Sequence, residues 1–218
     1  KLNASYGVTA VPGEIASLIA IDDVRISARS ISNSGGDISG ATVRLDALDR
    51  IRNISRLAGA VSFRQSCIFI FCRSSGSSDL SVLAASVTAV GDMFVTAGTS
   101  INDVGGQLQA TGDLTIDTPE FVTSSLHVPF LRERPSGLTS FFRGRMAWIA
   151  HDFQGSLIAA VQGDLNFLQD GIVSLSDNAQ LFAGGNNGLP DTASRTAEPV
   201  DQVDVLQPPI GFLWRIAR

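Results

Sequence analysis

"SINDVGGQLQATGDLTID", residues 100–117, is the stretch whose reading decides the fold. Its apolar residues alternate with polar ones over a few positions until Gly, Asn or Asp intervenes, which is strand patterning and not the i, i+3, i+4, i+7 spacing of a helix. A near-copy stands earlier as "SISNSGGDISGATVRLD", residues 30–46. Superposing Ile31 on Ile101 places Gly35-Gly36 on Gly105-Gly106 and Ile38 on Leu108 without a gap. One extra residue then brings Val43 and Leu45 onto Leu114 and Ile116. A looser copy, "GSLIAAVQGDLNFLQDGIVSLSDNAQLFAGG", runs from Gly155 to Gly185 and starts a strand at Gly163-Asp164-Leu165.

Short strands and polar turns recurring at about 20 residues fit either a meander or a β-solenoid. Meander hairpins favour Asn-Gly or Asp-Gly loops, yet "DG" occurs once, at Asp170-Gly171. The turns are mostly of the "GG", "AGT" and "TGD" kind, which bend a strand at a corner without reversing it. The sequence therefore predicts an all-β, parallel coil whose rungs of about 20 residues stack at about 4.8 Å. Ten or eleven such rungs would make a rod on the order of 50 Å long. Ile101, Leu108, Leu114 and Ile116 are expected to face the core. Asp23, Asp92, Asp113 and Asp164, which open strands, are expected to bond nearby backbone amides as turn residues.

Composition narrows the function classes. Apolar residues make up 44% of the chain and charged residues 17%, against roughly 25% charged in ordinary soluble domains. Mean hydropathy is +0.20, but no window approaches the ~18 uninterrupted apolar residues of a membrane-spanning helix. Net charge is −5, which argues against nucleic acid, whose phosphates need a clustered basic face. The one basic patch is Arg132, Arg134, Arg143 and Arg145. The chain starts at Lys1 without Met or a signal-peptide pattern, and is expected to be an excised or processed piece.

Cys67 and Cys72 bracket the strongest apolar run. Read as one strand, that run puts the two on opposite faces about 16 Å apart. Only a turn inside it could bring them together; otherwise they pack as small hydrophobes. Neither they nor the distant His127 and His151 make a metal-ligand pattern. No G-x-S-x-G elbow, P-loop, Rossmann fingerprint or tandem calcium nonapeptide is present, so neither cofactor nor metal is expected.

The repeats in Ala20–Ser55, Val87–Thr118 and Gly155–Gly185 resemble the filamentous haemagglutinin repeats of exoproteins secreted by two-partner secretion. The resemblance covers under half of the chain. It implies a right-handed parallel β-helix exported through an outer-membrane barrel transporter of a Gram-negative bacterium. The family's Asn-Pro-Asn secretion motifs do not occur in this sequence. The implied role is therefore a non-enzymatic, monomeric shaft at the cell surface. It would project the adhesive region of an adhesin or the toxin region of a contact-dependent growth inhibition protein.

On this reading residues 1–185 form the shaft, with insertions at about 56–86 and 121–153, and residues 186–218 form a cap or flexible tail. The second insertion holds "WIAHD" (Trp148–Asp152) and "RERPSG" (Arg132–Gly137), which resemble the W-I-D-H and R-x-P-x-x-R motifs of pectate lyases. Ala150 and Gly137-Leu138 replace key positions, and the motif order is reversed. A polysaccharide-lyase-like enzyme is thus the alternative function. The bland expectation packs the insertion's aromatic residues on the shaft and leaves its Arg solvated. Between the two stands a receptor- or glycan-binding module through Arg143, Arg145 and Trp148, since loops on a rigid scaffold often carry recognition.

Overall fold

The computed structural model describes residues 2–10, 16–68, 71–133 and 147–197. Strand β1 (Leu2–Ala10) is followed by a first rung of β2 (Ser17–Ile19), β3 (Val24–Ala28) and β4 (Ile31–Ser34). The second rung is β5 (Asp37–Gly40), β6 (Val43–Ala47) and β7 (Arg50–Ile54), after which β8 (Arg56–Ile68), β9 (Phe71–Ser78) and β10 (Ser81–Leu83) leave the coil. The third is β11 (Ser86–Ala89), β12 (Met93–Ala97) and β13 (Ser100–Val104). The fourth is β14 (Gln107–Ala110), β15 (Leu114–Asp117) and β16 (Glu120–Ser124), followed by the off-coil hairpin β17 (Leu126–Glu133) and β18 (Ala147–Gln154). The fifth is β19 (Leu157–Ala160), β20 (Leu165–Phe167) and β21 (Ile172–Ser176), and the sixth β22 (Gln180–Ala183), β23 (Asn187–Gly188) and β24 (Ser194–Thr196).

Consecutive strands step from one parallel sheet to the next, so the chain winds through three six-stranded sheets, β2-β5-β11-β14-β19-β22, β3-β6-β12-β15-β20-β23 and β4-β7-β13-β16-β21-β24. The described residues contain no helix, and none long and apolar enough to cross a membrane. The repeat alignment is the physical register: Met93 pairs with Val43 and Leu114, and Ile101 pairs with Ile51 and Phe121.

Alternation sends one side chain in two inward, and stacking turns those positions into columns. Ile38, Val87, Leu108 and Ile158 line the first sheet, Val43, Met93, Leu114 and Leu165 the second, and Ile51, Ile101, Phe121 and Val173 the third. All are buried in one core, with Ile101, Leu108, Leu114 and Ile116 fully so. Small residues, Gly40, Ala89, Ala110, Ala160 and Ala183, keep one register beside the first corner.

Among the described residues the coil has six rungs, against the ten or eleven expected, and spans about 24 Å from first strand to last at ~4.8 Å per step. Length that would have built further rungs goes into antiparallel strands outside it. The first off-coil strands span Arg56–Leu83 and the second Leu126–Gln154. Phe121 therefore belongs to the coil, and the sixth rung carries the coil to Thr196, past the expected boundary at 185. The Cys67–Cys72 run is not a single strand: Ile68 stands opposite Phe71 in an antiparallel pair, so the chain reverses between them.

Candidate functional site

Each of the three corners ties one rung to the next in its own way, and only one of them releases chain outward. At the first corner a Gly-Asp pair recurs. Asp92 Oδ1 accepts the Asp113 N–H at 2.9 Å, Asp113 Oδ1 the Asp164 N–H at 2.8 Å, and Asp164 Oδ1 the Asn186 N–H at 2.6 Å. These carboxylates bond amides of the following rung, not of their own turn as the sequence suggested. A Cβ on Gly112, Gly163 or Gly185 would run into the reaching Asp92, Asp113 or Asp164 carboxylate, which is why glycine precedes each residue whose N–H donates, Asp113, Asp164 and Asn186.

The second corner uses side chains across rungs. Thr99 Oγ1, one rung on, and Nε of the adjacent Arg50 donate to Asp49 at 3.1 and 3.2 Å, and these bonds hold its carboxyl below the usual 3.8. Gln169 Nε2 donates to Asp117 Oδ1 at 2.6 Å in the same fashion.

The third corner holds a buried polar ladder. Asn33 Nδ2 donates to Asn53 Oδ1 at 2.9 Å, and Asn53 Nδ2 to Asp103 Oδ1 at 2.6 Å. Asp103 also receives the Gly106 N–H on Oδ2 at 3.2 Å. Burial pushes its carboxyl up to about 6, against the opposing hydrogen bonds of Ser156, Asn53 and Gly106. The double glycines of the repeat are explained here. Gly35 and Gly105 take positive φ, +67° and +56°, and a Cβ on Gly36 or Gly106 would meet Asn33 Oδ1 or Asp103 Oδ1 at 2.7 and 2.6 Å. The working unit is thus Asn/Asp-x-Gly-Gly: a buried polar side chain folded back over a glycine turn.

Rungs two and four lack the glycines at this corner, and there the chain leaves the coil. Asn53 and Thr123 keep their ladder positions, but Ser55 and Ser125 follow. Ser55 Oγ donates to the Gly105 carbonyl at 2.7 Å and accepts the Ala85 N–H at 3.0 Å, tying the outgoing arm to the returning one. Gln154 Nε2, at the base of the second hairpin, donates to the same Gly105 carbonyl at 3.1 Å. Gly105 is therefore the joint of both excursions, and a Cβ there would lie 2.9 Å from Leu126 Cβ and from the Gln154 carbonyl.

Exits two rungs apart are separated by about 9.6 Å, close to the ~10 Å at which two β-sheets pack face to face. The excursions do lie against each other. Val61, Phe63, Leu80 and Leu131 share a small apolar cluster. Gly76 makes room for Leu131, whose Cδ2 would sit 2.9 Å from an added Cβ. Among the described residues, Leu131 of the second insertion thus packs on the first one. One sheet of this module is β1-β8 with β9 and β10 on the far edge of β8, all antiparallel; the other layer is β17-β18.

The sequence-derived binding residues fall on this module unevenly. Arg143 and Arg145 lie outside the described residues. Trp148 is in β18, directly opposite Arg132 of the same basic patch. The Arg132 guanidinium lies 5.7 Å from the centre of the Phe130 ring, so positions 130, 132 and 148 share one hairpin face. On the other face His127 meets Phe153 edge to face at 4.6 Å. Phe130 is the contributor that the sequence left unnamed; its signal was the Phe-x-Arg step of "PFLRE", an alternation that pairs ring with guanidinium.

Of the lyase-like stretches, Trp148–Asp152 and Arg132–Glu133 belong to this hairpin, off the coil, and residues 134–137 lie outside the described residues; Asp152 stands opposite Val128, and its Oδ1 accepts the Phe153 N–H at 2.9 Å. Among the described residues no group of three or more His, Cys, Asp or Glu is placed to hold a metal ion. Comparison of the chain with family models, with curated proteins and with solved structures gave no match in any of the three.

Proposed function

We propose that the chain is a shaft segment of a secreted bacterial surface exoprotein, a right-handed parallel β-helix of the filamentous haemagglutinin-repeat type. It works as a non-enzymatic monomer, exported through an outer-membrane barrel transporter of a Gram-negative bacterium, and projects an adhesive or toxin region towards target cells. The hand follows from strand twist, which favours right-handed crossovers between parallel strands. One observation carries the reading: the recurring polar residues are occupied in stacking. Asp92, Asp113 and Asp164 hold backbone amides of the next rung, and Asn33, Asn53 and Asp103 hold one another. Groups committed in that way stabilise a coil and leave little for acid–base work.

Antibodies against the purified chain should label intact cells of the source bacterium. Labelling only after the outer membrane is opened would overturn the surface reading. A panel of acidic and neutral polysaccharides incubated with the chain should yield no product; released oligosaccharide would establish the lyase-like alternative.

A second reading rests on the hairpin face of Phe130, Arg132 and position 148. Arginine beside aromatic rings suits a receptor or glycan, through cation–π and stacking contacts. If the module binds, Arg132→Ala should lower retention on a glycan or cell-surface array while the melting temperature stays unchanged.

A further inference from the structure

We infer that Cys67 and Cys72 form a cross-strand disulfide that closes the tip of the β8–β9 hairpin. The inference goes beyond the shaft reading and does not depend on it. It stands on the register, which places the two positions directly opposite each other.

Antiparallel pairs alternate between those that exchange backbone hydrogen bonds and those that do not. The phase is fixed at the open end of the hairpin, where the Asp79 N–H donates to the Ala60 carbonyl at 3.0 Å. Residues 60 and 79 thus form a bonded pair, one step beyond Val61 and Ser78. Alternation from there makes Ser62–Ser77, Arg64–Ser75, Ser66–Arg73 and Ile68–Phe71 bonded pairs, and Cys67–Cys72 a non-bonded one. The Ser62 and Ser77 hydroxyls lie 3.0 Å apart, which shows how closely opposed positions on this hairpin approach. A non-bonded pair brings its Cα atoms to about 4.5 Å with the side chains nearer than in a bonded pair. That lies inside the roughly 4.4–6.8 Å Cα window of disulfides. The two cysteines of the chain therefore occupy the kind of cross-strand site that a disulfide spans without moving the backbone.

The oxidant is a low-molecular-weight disulfide such as oxidised glutathione. One cysteine thiolate attacks it, forming a mixed disulfide and releasing one glutathione thiol. The second cysteine thiolate then attacks the protein sulfur of that mixed disulfide and releases the other. Two S–H bonds are lost and one S–S bond forms in the protein, while the two glutathione sulfurs are reduced.

The test uses the full chain, purified under reductant, freed of it, and incubated with oxidised glutathione. Both thiols should disappear together from maleimide labelling, the intact mass should fall by two hydrogens, and peptide mapping should join Cys67 to Cys72. Cys67→Ser should instead retain a single glutathione adduct. The double variant C72S/R73C moves the second thiol one position along β9, to the other face, and should carry glutathione adducts with no internal bond. Far-UV circular dichroism of each variant establishes that the sheets are intact. Parent protein that keeps both thiols free, accumulates stable glutathione adducts, or oxidises only to disulfide-linked dimers would overturn the inference. So would an internal bond in C72S/R73C as readily formed as in the parent, since that would remove the register from the argument.

Discussion

Asp103→Asn should make the coil more stable at neutral pH and should flatten its dependence on pH. Asp103 is fully buried in the third-corner ladder, and its carboxyl is raised from 3.8 to about 6. The folded chain therefore holds that proton more tightly than the unfolded chain. The stabilisation is complete below the unfolded value near 3.8 and is lost as pH rises through about 6. Above that window the ionised carboxylate destabilises the fold by about 3 kcal/mol relative to acid conditions. An amide never ionises, so the variant escapes this term. It keeps an oxygen for the Asn53 donor and loses the Gly106 N–H as a partner, at about 1 kcal/mol. Its nitrogen can turn to the Gly106 carbonyl, as Asn33 does to Gly36 at 2.9 Å. The net gain at pH 7 is about 2 kcal/mol, or about 4–8 °C in melting temperature for a chain of this size. Thermal melts of parent and variant from pH 4 to pH 8 provide the assay, and their difference cancels every other titrating group. A difference that does not change with pH, or a variant less stable than the parent at pH 7, would refute the reasoning.

The remaining predictions concern the corners and the core. Leu114→Ala should cost about 3 kcal/mol by chemical denaturation, because it empties a fully buried column position, and Leu114→Asp should abolish cooperative melting. Gly112→Ala should lose about 2 kcal/mol through collision with the Asp92 carboxylate. Adding Asp92→Ala should recover part of that loss, giving a non-additive double-mutant cycle; strict additivity would separate the glycine from the ladder. Gly105→Ala should cost about 2 kcal/mol or more, from a positive φ and a crowded Cβ, and should raise hydrogen exchange at the bases of both excursions together. Exchange rising at one base alone would mean that Gly105 does not join them.

The repeat was legible because stacking writes itself into sequence: Ile31 and Ile101, or Val43 and Leu114, face one core through the same register. The inward residues followed from alternation alone. What the Asp and Asn residues do was not legible, because their partners lie a rung away, as with Asp113 and Asp164, and not in the same turn. The rung count failed for another reason. Ten or eleven rungs follow only if the whole length is divided by about 20, which counts the insertions at about 56–86 and 121–153 as coil, whereas their strands β8 and β17 pair antiparallel outside it. The reversal between Ile68 and Phe71 carried no Asn-Gly or Asp-Gly signal and hid inside an apolar run. The binding face was half legible: Arg132 and Trp148 stood out by residue type, but only cross-strand register brings them opposite each other.

The spacing of the two exits carries an engineering rule. A rung that trades its Asn/Asp-x-Gly-Gly corner for a serine-anchored gap becomes a grafting point, and the coil's own repeat fixes where a graft is tolerated. A hairpin added at Gly35-Gly36 would emerge one rung, about 4.8 Å, from the first excursion, too near for a second layer of side chains. One added after β24 would emerge two rungs beyond the β17–β18 hairpin and could extend the stack by a third layer. The coil thus restricts its decoration to every other rung, and the inserted loops can change in length and sequence without altering the core that carries them.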